Sequence, residues 1–216
     1  MFWPSMASPR KNWNTATLLT KALEGAAAQG ASTELVHLYD LAYKGCTSCF
    51  ACKLIDGPSN GRCAMQDELR PVLEQIETRV DALILGSPVY FGQMTGEMRS
   101  FLERLLFAPL VYSQPPRSVF PRTIKTAVIY TMNVTEELCA HMGYPTMFNA
   151  TASVLERTFG SESETLCCFD TCQFPDYGKV IMELMDAAKK TARHDTAFPE
   201  DCGRAAQLGK RLATTG

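Results

Sequence analysis

The segment ALILGSPVYFGQMTGEM, residues 82–98, places a short apolar run, a turn and the start of a helix in direct succession. The run ALIL contains no polar residue and is followed by Gly86 and Pro88, which is typical of a strand that is buried on both faces. Apolar residues then recur with helical spacing from Met98 to Leu105. Strands of this kind occur in parallel sheets that helices cover on both sides, so the segment predicts an α/β fold.

The same alternation of strands and helices continues on both sides of this segment. Continuous or period-two apolar patterns predict strands, and apolar residues at helical spacing predict helices. Together they predict a doubly wound parallel sheet. Further strands are predicted at residues 33–39 (TELVHLY), 126–131 (TAVIYT) and 165–169 (TLCCF), and helices at residues 15–29, 69–76, 98–105, 152–159, 181–188 and 199–213.

The first strand of such a sheet is the least clear. A doubly wound sheet needs a central strand ahead of its first helix, and only MFWPSMA, residues 1–7, is available for it. Pro4 lacks the N–H group that a central strand donates to its neighbours. We therefore expect this strand to be very short or irregular.

Composition limits the class of protein. The chain has 216 residues, of which 46% are apolar and 20% charged, and its formal net charge is −2. These values are typical of a globular domain and do not favour a nucleic-acid or membrane binder. The N-terminal segment MFWPSM lacks the pattern of a signal peptide. We expect a cytoplasmic protein with a single domain, residues 1–216, that carries a cysteine-rich loop at 44–64 and a C-terminal helical extension at 199–214.

Two loops at the expected carboxyl ends of the strands have the residues of a ligand site. SPRKNWNT, residues 8–15, leads into a helix whose free N–H groups suit a phosphate, although the glycines of the known phosphate-binding loops are missing and a solvated N-cap is the alternative. In GSPVYFGQM, residues 86–94, Tyr90 and Phe91 are placed to flank a planar ring. A phosphate joined by a spacer to a flat ring fits FMN.

Four of the nine cysteines lie close together in the sequence. KGCTSCFACK, residues 44–53, contains Cys46, Cys49 and Cys52, and Cys63 follows after ten residues. This spacing suits a [4Fe–4S] cluster, because a tight loop can supply three ligands while a fourth arrives from further along. Free thiols and a structural zinc ion are the alternatives, although zinc sites more often pair two distant Cys-x2-Cys arms. The other cysteines, Cys139, Cys167, Cys168, Cys172 and Cys202, are expected to be structural.

These segments resemble the NADPH-dependent FMN reductase and iron–sulfur flavoprotein families, which share a flavodoxin-like fold. The resemblance rests on SPRKNWNT, on DALILGSPVYFGQM and on the cysteine segment, and it covers residues 8–133. It implies a flavodoxin-like doubly wound sheet of five parallel strands with helices on both faces. It also implies that Ser8, Arg10, Asn12, Asn14 and Thr15 hold the FMN phosphate, that Pro88, Val89, Tyr90, Phe91, Gly92, Thr131, Met132 and Asn133 line the isoalloxazine, and that Cys46, Cys49, Cys52 and Cys63 bind the cluster.

Some positions depart from the pattern of these families. Ala7 stands where a glycine is usual, and MFWPSM stands where the first strand is usually a clear apolar run. Trp13 replaces a small residue, so its side chain either crowds the phosphate or points outward. The spacing before Cys63 is also longer than usual.

The sequence thus predicts a flavin-dependent oxidoreductase in which FMN supplies the redox chemistry. With a cluster, the expected electron donor is a small iron–sulfur protein such as ferredoxin, and the acceptor a quinone, an oxygen species or another small oxidant. Without a cluster, NAD(P)H-dependent reduction of a flavin or quinone is expected. A zinc-stabilised binding module without a redox role is the alternative from another class. No side chain is assigned as a catalytic acid or base, and a homodimer or homotetramer is expected from the resemblance.

Overall fold

The computed structural model describes residues 2–6 by their backbone and residues 8–214 in full. Met1, Ala7, Thr215 and Gly216 lie outside the described residues. The alanine that stands at residue 7 in place of the family's usual glycine is therefore among the residues not described. The described chain alternates strands and helices. Its strands are β1 (Phe2–Met6), β2 (Val36–His37), β3 (Ala82–Tyr90), β4 (Gln93–Met94), β5 (Leu110–Val111), β6 (Arg117–Ser118), β7 (Lys125–Thr131) and β8 (Ser163–Cys168). Its helices are α1 (Asn14–Ala27), α2 (Leu69–Thr78), α3 (Gly96–Phe107), α4 (Glu136–His141), α5 (Tyr144–Phe159), α6 (Ala187–Thr196) and α7 (Phe198–Ala213).

The main sheet contains five parallel strands in the order β2-β1-β3-β7-β8. This is the strand order of a flavodoxin-like sheet, which reverses direction beside its first strand. The predicted fold class is therefore confirmed. The sheet also includes a strand that the sequence did not predict, because β4 folds back antiparallel onto β3. β5 and β6 form a separate two-stranded hairpin.

Alternate side chains of the central strands face opposite layers of helices. Leu83 and Leu85 of β3 belong to the core that α2, α3 and α5 cover, whereas Ala82 and Ile84 belong to the core that α1 and α7 cover. All four side chains are almost fully buried. Helices therefore cover both faces of the sheet, as the uninterrupted run ALIL predicted.

The first strand is better formed than the sequence suggested. Residues Phe2–Met6 pair in parallel with β3 along their whole length, and they also pair with β2 on the opposite edge. Pro4 lies opposite Ile84 in this central position. The sheet thus tolerates a residue without an N–H group, because the neighbouring residues keep the strand paired on both sides.

The strand predicted from the run ALIL extends beyond its expected end. β3 does not stop at Gly86 but continues through Pro88 to Tyr90. A Cβ atom at Gly86 would overlap the side chain of Leu19 in α1. The glycine therefore marks a close contact between helix and sheet, and the turn follows only after Tyr90.

Two other predicted elements have different lengths in the structure. The strand predicted at residues 33–39 is reduced to Val36–His37, because the chain turns into a 3-10 helix at Leu38–Asp40. The helix predicted at residues 152–159 begins earlier, at Tyr144. The short helix α4 before it was not predicted.

The helix predicted at residues 181–188 is wrong. Ile181 and Leu184 are 98% and 88% exposed, so the apolar spacing in this segment does not correspond to a buried face. Helix α6 begins only after Asp186, whose carboxylate accepts hydrogen bonds from the N–H groups of Ala188 and Lys189 at 2.9 and 3.2 Å. This N-cap fixes the start of the helix.

The C-terminal helix α7 packs directly on α1 across small residues. Gly25 faces Ala206, and Gly209 faces Ala22, at positions where an added Cβ atom would overlap a backbone carbonyl group. The expected C-terminal extension is therefore part of the layer that covers one face of the sheet.

The substitution Gly209→Ala is expected to lower the free energy of unfolding by about 1–3 kcal/mol, the usual cost of an extra methyl group in a packed interior. Gly203→Ala is a matched control in the same helix, because a Cβ atom there meets no atom within 4 Å. The control should gain about 1 kcal/mol through its helix propensity. Urea unfolding measures both values, and equal stability of the two variants would contradict the close approach of α1 and α7.

A buried ionic cluster attaches the start of α7 to β8. The carboxylate of Asp201 is 4% exposed and accepts hydrogen bonds from the thiol of Cys168 and from Arg193 and Arg204. Burial by itself would raise the pKa of Asp201, but the three donors outweigh it, so the pKa lies below its ordinary value of 3.8. The ionised carboxylate therefore stabilises the folded chain.

This stabilisation should be complete above the carboxyl pKa of the unfolded chain and should be lost as the pH falls through the lower pKa of the folded state. We expect Asp201→Asn to lower the free energy of unfolding at neutral pH and to flatten its decline as the pH falls below the ordinary carboxyl pKa of 3.8. Asp195→Asn, at an exposed position of α6, is the control and should leave the profile unchanged. Urea unfolding across this pH range measures the effect, and a wild-type profile in the Asp201 variant would refute it.

Candidate functional site

Three strands end at the same edge of the sheet, beside the point where the strand order reverses. The pairing places Met6 beside Gly86, and it places Pro88 beside Thr131. The segments that follow β1, β3 and β7 therefore begin next to one another. In open α/β sheets ligands bind in this crevice, and these segments contain the predicted cofactor residues.

The segment between β1 and α1 forms the first wall of the site. Ser8 is buried, and its hydroxyl oxygen accepts a hydrogen bond from the N–H group of Arg10 at 3.3 Å. The backbone N–H groups of Asn14, Thr15 and Ala16 have no hydrogen-bond acceptor in the described part of the chain. The helix thus presents unpaired donors and the positive end of its dipole, which suit a phosphate.

Several side chains of this segment bind the chain that follows β8. The amide nitrogen of Asn14 donates to the carbonyl oxygen of Cys172 at 2.7 Å, and the indole N–H of Trp13 donates to the same oxygen at 3.0 Å. Arg10 donates to the carbonyl oxygen of Gln173 at 2.6 Å, and its guanidinium lies over the Trp13 ring. Trp13 is therefore turned toward residues 172–173. Asn12 is exposed.

The segment after β7, residues 131–133, forms the second wall of the site. A buried hydrogen bond joins it to the first wall. The hydroxyl groups of Thr15 and Thr131 lie 2.8 Å apart. Met132 is buried and donates its N–H group to the carbonyl oxygen of Cys168 at 3.0 Å. The side-chain nitrogen of Asn133 donates to Gln173 at 3.1 Å, while its oxygen is buried and has no partner among the described residues. The segment after β7 thus contains a buried acceptor that no described residue satisfies.

The third wall is the tight hairpin between β3 and β4. Phe91 and Gly92 both have positive φ angles, of 51° and 76°, as the central residues of a type I′ turn do. The turn leaves the Phe91 side chain fully exposed and Tyr90 43% exposed, whereas Val89 packs on the core. The aromatic side chains are thus free to contact a planar ligand.

Sequence reasoning missed one part of this site, the segment from Asp170 to Gln173 with its anchor Lys190. Lys190 is 3% exposed, and its ammonium group donates to the carboxylate of Asp170 and to the carbonyl oxygen of Asn133. The thiol of Cys172 donates to the carbonyl oxygen of Lys190 at 3.3 Å. The periodicity of α6 alone gives no sign that one of its lysines is buried under a loop of the site.

The cysteine loop is attached to α3. The ammonium group of Lys53 donates to the carbonyl oxygens of Phe107, Ala108 and Leu110, the last two at 3.1 and 2.5 Å. The N–H group of Cys46 donates to Glu103 at 3.0 Å. These contacts fix both ends of the segment that carries Cys46, Cys49 and Cys52.

The long spacer before Cys63 folds back on itself. The N–H group of Gly61, which has a φ angle of 74°, donates to the carbonyl oxygen of Cys52 at 2.9 Å. Within the spacer, Gly57 donates to the carbonyl oxygen of Leu54 at 3.2 Å. The ten residues of the spacer therefore form a closed excursion, and Cys63 returns to the neighbourhood of Cys52.

The four cysteines of the loop differ in exposure. Cys52 is buried, Cys46 and Cys63 are half-buried, and Cys49 is exposed. Burial raises the pKa of the Cys52 thiol, with Lys53 opposing this and the neighbouring Cys49 and Cys63 adding to it. In the described residues, no three His, Cys, Asp or Glu side chains converge closely enough to hold a metal ion. Cys49 and Cys63 thus lie near enough to Cys52 to act on its pKa, but the loop does not form a complete set of metal ligands among the described residues.

A family comparison identifies the chain. The model of the NADPH-dependent FMN reductase family matches residues 6–131, which include all three walls up to Thr131 and the whole cysteine loop. The chain belongs to this family. Its members are flavin-dependent oxidoreductases, so the enzyme class expected from the sequence is confirmed.

Curated relatives agree with this family. An iron–sulfur flavoprotein of Methanocaldococcus jannaschii is 34% identical over 97 residues, which cover 45% of this chain and 47% of the relative. An iron–sulfur flavoprotein of Archaeoglobus fulgidus is 35% identical over 97 residues, which cover 45% of this chain and 44% of the relative. The chain therefore spans about half the length of these curated relatives.

Solved structures share the fold. A NAD(P)H:quinone oxidoreductase from Methanothermobacter marburgensis superposes with a TM-score of 0.69 over 98% of both chains, at 15% identity. An azoreductase from Bacillus anthracis superposes with a TM-score of 0.66 over 98% of this chain and 100% of its own, at 13% identity.

Within residues 2–6 and 8–214, no helix is long and apolar enough to cross a membrane.

The anchoring role of Lys53 can be measured directly. We expect Lys53→Met to increase amide hydrogen exchange in residues 44–64, because the carbonyl oxygens of Phe107, Ala108 and Leu110 lose the donor that joins them to the loop. Lys44→Met, at an exposed side chain of the same loop, is the control and should leave exchange unchanged. Mass spectrometry of peptides from this region reports both, and unchanged exchange in the Lys53 variant would show that the loop is held by other contacts.

Proposed function

We propose that the protein is an FMN-dependent electron-transfer enzyme that also carries a [4Fe–4S] cluster in its cysteine loop. The observation that carries the flavin part is the convergence of three walls at one sheet edge, joined by the buried contact between Thr15 and Thr131. The cluster part rests on the spacing of Cys46, Cys49, Cys52 and Cys63 and on the contacts that hold the segment carrying them.

The first wall fits the phosphate of FMN. The unpaired N–H groups at the start of α1 are the strongest donors for it, and Ser8 and Asn12 add short polar side chains next to them. Asn14 and Thr15 already bind Cys172 and Thr131, so they would serve chiefly by holding the wall in place. Arg10 contributes positive charge at the rim.

The other two walls fit the isoalloxazine. Tyr90 and Phe91 offer aromatic faces that the core does not use, and residues 88–92 and 131–133 bring backbone polar groups to the same edge. The buried oxygen of Asn133, which lacks a partner among the described residues, suits an N–H group of a ring. These residues would bind the flavin, orient it and exclude water from one of its sides.

The cysteine loop fits an iron–sulfur cluster in its donor chemistry. Cys46, Cys49, Cys52 and Cys63 would supply four sulfur ligands, and the hydrogen bonds of Lys53 and of the closed spacer fix the segment that carries them. The thiols would have to converge to bind the cluster, since no three such side chains of the described residues lie close enough together to hold a metal ion. Thiolate ligands of this number are also compatible with zinc, which composition analysis can distinguish.

When bound, FMN can exchange electrons singly or in pairs, and a cluster can pass them singly. The proposed donor is a small iron–sulfur protein such as ferredoxin or NAD(P)H, and the acceptor a quinone, an oxygen species or another small oxidant. A mainly apolar groove of about 1390 Å³ between α3, α5 and the β5–β6 hairpin begins at Phe91 and supports a role in acceptor binding or subunit contact. We propose a homodimer or homotetramer in the cytoplasm.

A second candidate is an NAD(P)H-dependent FMN or quinone reductase that has no cluster. The family match favours it, because the family is named for NADPH-dependent reduction of FMN. In that case the cysteines would be free thiols. A zinc-stabilised module without a redox role would instead contain zinc and no flavin, which the family membership disfavours.

A visible spectrum with iron, sulfide and zinc analysis of anaerobically reconstituted protein separates these functions. The proposed function requires a yellow protein with an additional broad absorbance that dithionite bleaches. Cys49→Ser should lose the broad absorbance and its iron while keeping FMN, whereas Cys202→Ser, in α7, should keep both. A yellow protein without iron would favour the reductase, and a protein that binds no FMN would refute both flavin functions.

A further inference from the structure

A buried arginine of α3 lies directly beneath the cysteine loop. Arg104 is 2% exposed, and its Nε atom donates to the Cys63 sulfur at 3.2 Å. Its Nη1 atom donates to the carbonyl oxygen of Lys44 at 3.2 Å and to the carboxylate of Asp67 at 2.5 Å. Arg104 thus connects the beginning of the loop, its last cysteine and the segment that leads into α2.

One nitrogen atom of this guanidinium group makes no hydrogen bond to the described residues. The Nη2 atom of Arg104 is buried and has no acceptor among the described residues. In a guanidinium group, Nε and Nη2 lie on the same edge and donate in parallel directions. Because Nε points at the sulfur of Cys63, the unused donor is directed to the space beside that sulfur.

A buried donor of this kind requires an acceptor. Asp67 binds the Nη1 atom of the same group, and neither of its carboxylate oxygens reaches Nη2 from its present position. The acceptor that would arrive beside Cys63 when a cluster forms is another sulfur atom, which carries negative charge. Hydrogen bonds to cluster sulfurs and nearby positive charge both favour the reduced cluster.

We propose that Arg104 is a positioning residue for the iron–sulfur cluster. It orients Cys63 through Nε, binds a second cluster sulfur through Nη2, and keeps a permanent positive charge next to the cluster. This inference rests on the proposed function, since it requires a cluster in the cysteine loop. It assigns the residue that completes the site on the side of Cys63, the ligand whose spacing departs from the family pattern.

The variants must separate this role from that of a simple structural clamp. Arg104→Met alone would leave the carboxylate of Asp67, which is 18% exposed, without its partner. The test therefore compares the double variant Arg104→Met/Asp67→Asn with Asp67→Asn alone, so that both lack the ion pair and differ only at Arg104. Arg104→Lys, which keeps the charge and removes the paired donors, is a third variant.

The measurements are iron and sulfide per FMN, resistance of the cluster to a chelator, and the midpoint potential of the cluster in a dithionite titration. The double variant should have a lower midpoint potential of the cluster than Asp67→Asn. Its cluster should also be removed at a chelator concentration about tenfold lower, because a residue that hydrogen-bonds a metal ligand is lost. Arg104→Lys should show the loss of chelator resistance with a smaller change of potential. FMN content and circular dichroism check the fold of each variant.

The results that would overturn the role of Arg104 differ from the result that would overturn the cluster itself. Equal midpoint potentials and equal chelator resistance in the double variant and in Asp67→Asn would overturn the role of Arg104 while leaving the cluster in place. If the double variant does not fold, Arg104→Lys decides, and a wild-type chelator resistance in that variant overturns the inference. A wild-type protein that binds FMN but takes up no iron overturns the cluster proposal, and the inference with it.

Discussion

Parallel pairing of β1 with strands on both of its edges is the constraint on which the site depends. It places the ends of β1, β3 and β7 at one edge of the sheet, and it leaves a crevice where the strand order reverses. The contact between Thr15 and Thr131 then holds α1 against β7. The unpaired N–H groups at the start of α1 lie at this edge of the sheet because β1, the strand before the helix, is central.

The fold and the main ligand segments could be predicted because their signals are local. The run ALIL is apolar because both of its faces are covered, and this burial can be recognised in the sequence alone. The loops at residues 8–15 and 86–94 follow strands, so their common location follows from the parallel sheet. The closely spaced Cys46, Cys49 and Cys52 likewise indicate a common loop without any tertiary information.

The missed features depend on contacts between distant parts of the chain. Lys190 and Arg104 are charged residues on helices, which are normally exposed, and only the structure shows that each is buried under a loop. The apolar residues Ile181 and Leu184 have helical spacing but no core to cover them. Gly86 was interpreted as a strand end, although it makes room for Leu19 of a helix far away in the sequence.

The segment between Cys52 and Cys63 folds back on itself as a closed excursion. The number of residues in it therefore does not determine where the two cysteines lie. The hydrogen bond from Gly61 to Cys52 fixes where the excursion begins and ends, while Leu54 and Ile55 within it are 58% and 86% exposed. Residues can therefore be added or removed at its tip without displacing either sulfur. This tip offers a permissive point for inserting a reporter peptide or an epitope tag.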